Sequence, residues 1–296
     1  PIMVQPIEHM VTTIESQAPE LRLDFRGRMI SRRALDQALA REASLRGAHC
    51  RCGVTLLDPR TVSRFELATG ETIEPRVVIG ADGPRSVLGA AIGEANSRWV
   101  AARQVTVPLA QTQESTDIFL RAAYRGGYGW LFPSGAYAHI GIGVDHAWRH
   151  DLKSLLTELH ADLVATGRVR AGTPARLTGG LIPVGGRRRS VGRIGRTPVL
   201  LAGDAAGLTN PVTGAGIESA VQSGALAGAI AADWLAGRGA AIEDYEDELA
   251  SLYDPAHARA LGRRRALEAR QTQGAADRVD FRRAWIAFPE YWSDAA

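Results

Sequence analysis

Leu21, Leu23 and Phe25 alternate with Arg22, Asp24 and Arg26, so residues 21–30 read as a strand or hairpin. The period then lengthens. Ser31 is a helix N-cap candidate, Ala34, Leu35, Ala38, Leu39 and Ala43 recur at helical spacing up to about residue 45, and Gly47 is a stop. Strands are expected at 49–57 and 64–67, and 72–79 ends in the apolar run Val77-Val78-Ile79. Strand, helix, hairpin, strand is the order of a nucleotide-binding α/β domain. From about Trp99 the short period dominates: 104–109, 117–123, 128–132 and 139–144 read as consecutive strands of an antiparallel sheet, followed by an amphipathic helix at 152–165. An isolated, very apolar strand at 197–202, a long helix at 217–235, a mostly helical stretch at 242–272 and an aromatic tail complete the chain. The predicted fold class is α/β, a Rossmann-like domain with an inserted antiparallel-sheet domain: nucleotide-binding parts at 1–98 and 186–240, the sheet at 99–185, helices and tail at 241–296.

With 296 residues, 45% of them hydrophobic and 23% charged, the chain can bury one large or two interlocked cores. No run approaches the ~20 apolar residues of a membrane helix. Residues 1–18 lack the basic and apolar regions of a secretory signal, so a cytoplasmic protein is expected. Cys50 and Cys52 are too few for a disulfide scaffold and read as reduced thiols on one face of a strand. Formal charge is +3, and all but Lys153 of the 35 basic residues are arginine. The clusters Arg187-Arg188-Arg189 and Arg263-Arg264-Arg265 read as solvated faces, with phosphates or peripheral contact with an anionic membrane as the alternative. No aromatic residues are interleaved with them and no binding motif accompanies them, which argues against nucleic acid.

The chemistry concentrates in Pro198-Val-Leu-Leu-Ala-Gly-Asp-Ala-Ala-Gly207 and the following Leu-Thr-Asn-Pro-Val-Thr-Gly-Ala-Gly-Ile217. A buried strand delivers Gly203, Asp204 and Ala205 to its carboxyl end, where ligands of open α/β sheets bind. Gly203 would let a ligand approach the backbone, and Asp204 would accept hydrogen bonds from sugar-like hydroxyls. Asn210 and Pro211 turn the chain, and Thr213-Gly214-Ala215-Gly216 opens a helix at Ile217 without bulky side chains. Its free N–H groups and positive dipole end would face the ligand. The alternative is a tight strand–turn–helix that packs closely and binds nothing.

These residues resemble the ribityl- and flavin-binding motif of FAD-dependent monooxygenases and geranylgeranyl reductases. Gly80-Ala81-Asp82-Gly83-Pro84-Arg85-Ser86 resembles the second motif of that superfamily, at the expected place after a strand. The resemblance implies that Asp204 holds the ribityl chain of FAD, that Asp82 and Gly83 line the site, and that Ser86 opens the next helix. Arg32, in Arg-Arg-Ala-Leu-Asp36, matches the arginine of the family's R-x-x-F-D segment, which reaches toward the cofactor; a surface helix residue is the even alternative. A helix start at Thr213–Ile217 would favour the negative charge of a reduced flavin. Tyr128-Gly-Trp-Leu-Phe-Pro133, Ile140-Gly-Ile-Gly143 and Gly180 to Gly186 look like the geranylgeranyl reductase branch, with Trp130 and Phe132 either lining the substrate site or packing in a core.

The implied activity is hydride transfer from reduced FAD to a carbon–carbon double bond of an isoprenoid or similar small apolar substrate, with NAD(P)H or another electron donor. A flavin monooxygenase of an aromatic or polyketide substrate and a non-catalytic degenerate flavoprotein remain the alternatives. His139, His146 and His150 suggest no proton donor, and catalytic residues stay unassigned. The family opens with a strand, G-x-G-x-x-G and a helix; Gly214-Ala215-Gly216 lies in the wrong context for that role, so a βαβ unit is expected upstream of Pro1.

Overall fold

The chain divides into two compact units, each assembled from separate segments. The structure, a computed structural model, describes residues 1–57, 59, 65–239 and 241–293. In chain order it forms β1 (Met3–Ile7), β2 (His9–Ile14), β3 (Glu20–Arg22), β4 (Gly27–Ile30), α1 (Arg32–Leu45), β5 (Phe65–Glu66), β6 (Thr72–Ile73), β7 (Val78–Gly80) and α2 (Val87–Ala91). Then come β8 (Trp99–Pro108), β9 (Ser115–Leu120), β10 (Gly129–Ser134), β11 (Tyr137–Asp145) and α3 (Leu152–Ala165). The last third contributes β12 (Arg176–Pro183), β13 (Val191–Ile194), β14 (Thr197–Leu201), α4 (Ile217–Leu235), α5 (Asp244–Thr272), α6 (Arg278–Ala284) and α7 (Pro289–Trp292).

The first unit comprises Pro1–Cys52, Val100–Gly180 and Ala266–Ala296. Its centre is a seven-stranded sheet in the order β12-β8-β11-β10-β9-β2-β3. β8, β11, β10 and β9 are antiparallel neighbours, whereas β2 joins β9 in parallel. Leu155, Leu156, Leu159 and Leu163 of α3 are buried, as the spacing of its leucines requires of an amphipathic helix. On one face Trp130 of β10 lies across Gly141 of β11: a Cβ on Gly141 would sit 2.1 Å from the indole, so the glycine makes room for the ring. The tail packs within this unit. Phe281, Trp285, Phe288 and Tyr291 are buried, and the Trp285 ring lies 4.8 Å from that of Tyr128.

The second unit comprises Gly53–Trp99 and Leu181–Arg265. Its three-stranded sheet runs β13-β14-β7, with β14 parallel to β7 and antiparallel to β13. Every residue of β14 is buried, which matches an apolar run covered on both faces. α4 packs through the small residues Ser219, Ser223, Ala227 and Ala231, four residues apart on one stripe.

Three local expectations need correction. Residues 49–57 form no strand beyond a single bridge from Leu56 to Leu67: Gly53 takes a positive φ of 71°, which breaks extended pairing, and both cysteines are exposed. The companion strand expected at 64–67 is present only as β5, since Arg64 lies outside the described residues. β3 and β4 do not form a hairpin with each other but pair with β2 and β1.

Candidate functional site

β14 ends at Leu201, and the chain passes through Ala202 into a single 3₁₀ turn, Gly203–Ala206, that closes on a left-handed Gly207. Side chains of α4 and α5 fix this turn. Ser223 Oγ accepts from the Gly203 amide at 2.9 Å, and the buried Tyr245 hydroxyl donates to the Leu201 carbonyl at 2.8 Å. Gly203 has φ +57°, and a Cβ on it would meet Ala220 of α4 at 3.0 Å. Its bareness is therefore explained by helix packing, before any ligand is invoked.

Asp204 is half-buried at the turn. A Cβ on Gly216, the N-cap of α4, would lie 3.2 Å from Asp204 Oδ1 and 2.7 Å from Thr209 Cγ2. The carboxylate is thus held beside the start of α4. Gly216 has no side chain with which to cap that helix, and the positive end of its dipole lies there. Between the two, Asn210 organises the loop: its Oδ1 accepts from the Val212 and Thr213 amides at 2.9 and 3.0 Å. Its carbonyl accepts from Gly214, and its amide donates to the Ala215 carbonyl. Pro211 is buried, and Gly214 takes φ +68° against Ile182.

The second predicted motif meets the first in the same unit. Asn96 Nδ2 donates to the Asp204 carbonyl at 2.8 Å and to the Pro84 carbonyl at 3.3 Å, joining the two segments. Gly83 takes φ +84°, a conformation that favours glycine. The Asp82 carboxylate, however, is engaged locally. Its oxygens accept from Ser86 Oγ at 2.6 Å and from the Val87 amide at 2.7 Å, so it stabilises the start of α2. Asn96, Ser223 and Tyr245 were not singled out from the sequence, and nothing in their neighbourhoods marks them, because each acts through a contact distant in the chain.

Arg32, Trp130 and Phe132 lie in the first unit. Arg32 is exposed on α1, 3.4 Å from Asp36. Trp130 and Phe132 share one sheet face, their rings 5.9 Å apart and stacked, and Trp130 Nε1 donates to Gln104 Oε1 at 3.0 Å. The arginine clusters are less solvated than expected. Arg187 makes a two-pronged pair with Asp254 at 2.7 and 2.8 Å and also pairs with Glu246. Arg264 is 5% exposed and donates to the Pro211 carbonyl at 3.0 Å. Among the described residues no His, Cys, Asp and Glu cluster could hold a metal, and no helix is long and apolar enough to cross a membrane.

A carboxylate for hydroxyls, an uncapped helix start for negative charge, and a glycine whose side chain would displace that carboxylate fit a nucleotide-type cofactor with a sugar-like chain. Comparison with known proteins agrees. The model of a family described as FAD binding domain matches residues 26–253. Digeranylgeranylglycerophospholipid reductase 2 of Methanosphaera stadtmanae is 32% identical over 219 residues, covering 70% of this chain and 54% of that protein. Menaquinone reductase of Mycobacterium tuberculosis is 29% identical, over 68% of this chain and 53% of the other. The chain thus spans about half the length of these curated relatives. A solved geranylgeranyl bacteriochlorophyll reductase-like protein of Thermoplasma acidophilum superposes with a TM-score of 0.78 at 22% identity, over 99% of this chain and 78% of that one.

Proposed function

We propose, from the premise that this chain belongs to the FAD binding domain family, that its second unit helps hold the flavin of an oxidoreductase acting on an apolar, isoprenoid-like substrate. Reduced FAD would supply a hydride to one carbon of a double bond, and the neighbouring carbon would take a proton. The observation that carries the cofactor assignment is the Asp204 carboxylate beside Gly216 at the uncapped start of α4. Asp204 is assigned to the ribityl hydroxyls, and the backbone from Thr213 to Ile217 to the negative charge of the reduced ring. Arg32 keeps its place in the proposal through its motif, and Asp82 contributes by shaping the Gly83 turn.

The reductase reading is supported by the names of two relatives, a reductase of a digeranylgeranyl lipid and a menaquinone reductase. Trp130 is buried and packs over Gly141, which favours the core reading for it, so the half-buried Phe132 stacked on it is the proposed substrate-facing residue. NAD(P)H is the proposed electron source, and a lipid substrate would bring the protein to a membrane surface. The sheet unit is the proposed substrate domain. β7 forms an edge of its sheet and leaves Ile79 39% exposed, which is unusual for a parallel strand. That edge supports a further βαβ unit carrying G-x-G-x-x-G.

The test uses full-length protein. It is expected to purify with a flavin spectrum and, under anaerobic conditions with a reductant, to saturate a geranylgeranyl chain. Substrate-stimulated oxygen uptake instead would favour a monooxygenase, and a colourless protein a degenerate one. Asp204→Asn is expected to raise the Kd for FAD at least tenfold, because hydrogen bonds to charged groups contribute about 1.5–3 kcal/mol.

A further inference from the structure

We infer that Arg264 is a positioning residue for the loop that precedes α4, acting on the cofactor through the Pro211 carbonyl. The inference rests on the flavin reading for its effect on the cofactor, but not for its effect on the loop. α5 is a mostly polar helix, yet Tyr245, Leu249, His257, Ala260 and Arg264 are buried along its length. That side of α5 grips the candidate site at two points. At one end Tyr245 donates to the carbonyl of Leu201, where β14 stops, and to that of Ser223, whose hydroxyl holds Gly203. At the other, Arg264 Nη1 donates at 3.0 Å to Pro211, within the turn that places Thr213 to Gly216.

Arg264 is 5% exposed, and one of its contacts is to the loop. The loop's internal hydrogen bonds run through Asn210 and the Thr213 hydroxyl, and these fix the shape of the turn but not its position on the rest of the unit. Outside contacts bear on position, two of them being the Thr209 hydroxyl donating to the Pro183 carbonyl and Arg264 donating to Pro211. Leu261, one turn earlier on α5, fills the space beside Gly186. His257, two turns earlier, is held toward its neutral form chiefly by burial.

Arg264→Met keeps the length and removes the donor and the charge. It is expected to raise the Kd for FAD about tenfold, and to lower the midpoint potential by about 30 mV if the reduced form is weakened tenfold more than the oxidised one. Arg264→Lys, which can still donate to Pro211, is expected to remain within twofold. The control is Arg187→Met, which removes ion pairs to Glu246 and Asp254 on the same helix. It should lower thermal stability and leave Kd and potential unchanged. If Arg264→Met matches the parent in both, or if Arg187→Met shifts the potential equally, the assignment is overturned. Should the parent itself bind no FAD, the flavin reading fails separately, and amide exchange at 212–216 decides the inference. Exchange at least tenfold faster in Arg264→Met than in Arg187→Met supports it, and equal rates overturn it. If Arg264→Met does not fold, Arg264→Gln carries the same comparisons.

Discussion

Replacing Gly216 by alanine adds one methyl group at the point where the carboxylate and the helix start meet. The backbone there has φ −143°, which any residue adopts, so the effect is steric and not conformational. The new Cβ would stand 2.7 Å from Thr209 Cγ2, about 1 Å inside the ordinary carbon–carbon separation of about 3.5–4.0 Å. Thr209 cannot simply rotate away. It is 2% exposed, and its hydroxyl is bonded to the Pro183 carbonyl. Keeping that bond means overpacking, at about 1–3 kcal/mol; breaking it leaves a buried acceptor, at about the same cost. Alanine also reduces the freedom of the unfolded chain, which offsets about 0.4–1 kcal/mol. The net expectation is a loss of about 1–2 kcal/mol, or about 2–3 °C in Tm for a chain of this size.

The same methyl would sit 3.2 Å from Asp204 Oδ1 and push the carboxylate away from the α4 amides. If those oxygens hold the hydroxyls of FAD, losing about 1.5–3 kcal/mol of charged hydrogen bonding weakens binding about tenfold to a hundredfold. Circular dichroism melting reports the first effect, and titration of the apoprotein followed by flavin fluorescence the second. A variant that melts lower yet binds FAD as tightly as the parent would refute the reasoning, because the overlap would then be relieved through Thr209 without disturbing the ligand.

Two further predictions concern stability alone. Asp117 is 1% exposed, and burial pushes its carboxyl up to about 6 although the Arg168 guanidinium pulls it down. A folded value above the ordinary one favours the protonated form, so the stability this group contributes is full below about pH 4 and lost as pH rises through 6. Urea midpoints of parent and Asp117→Asn should therefore diverge between pH 4 and pH 7 in favour of the variant, by up to about 3 kcal/mol; a constant difference contradicts the burial argument. Gly262 sits exposed inside α5 with nothing within 4 Å of where a Cβ would stand, so Gly262→Ala should stabilise by about 0.5–1 kcal/mol and raise Tm. An unchanged or lower melting point would count against it.

Elements with strong local signals were legible. α3 begins and ends where its leucine spacing places it, and α4 runs between Gly216 and Gly237 as expected, because strong local signals define a helix. The opening strands were not. In β2 the buried residues are Met10, Thr12 and Ile14 while Val11 faces outward, so hydrophobicity barely alternates. Its partner β9 lies about a hundred residues downstream, and a non-local pairing of that kind leaves no mark in a local window. Residues 49–57 failed for the opposite reason: a plausible apolar pattern was overruled by Gly53 in a left-handed conformation.

The candidate site divides along the same line. Gly203, Asp204 and Gly216 could be read because one short segment carries all of them. Asn96 and Arg264 could not, since they meet that segment from 108 and 53 residues away. The glycines also carry a lesson about what a motif records. Gly141 is bare for the Trp130 ring, Gly203 for Ala220, and Gly207 for the Gly186 carbonyl, which a Cβ would approach to 2.5 Å. Each of these would be glycine in a protein that bound nothing. The case for a ligand therefore narrows to Gly216, where the missing side chain leaves room beside the Asp204 carboxylate at the start of α4.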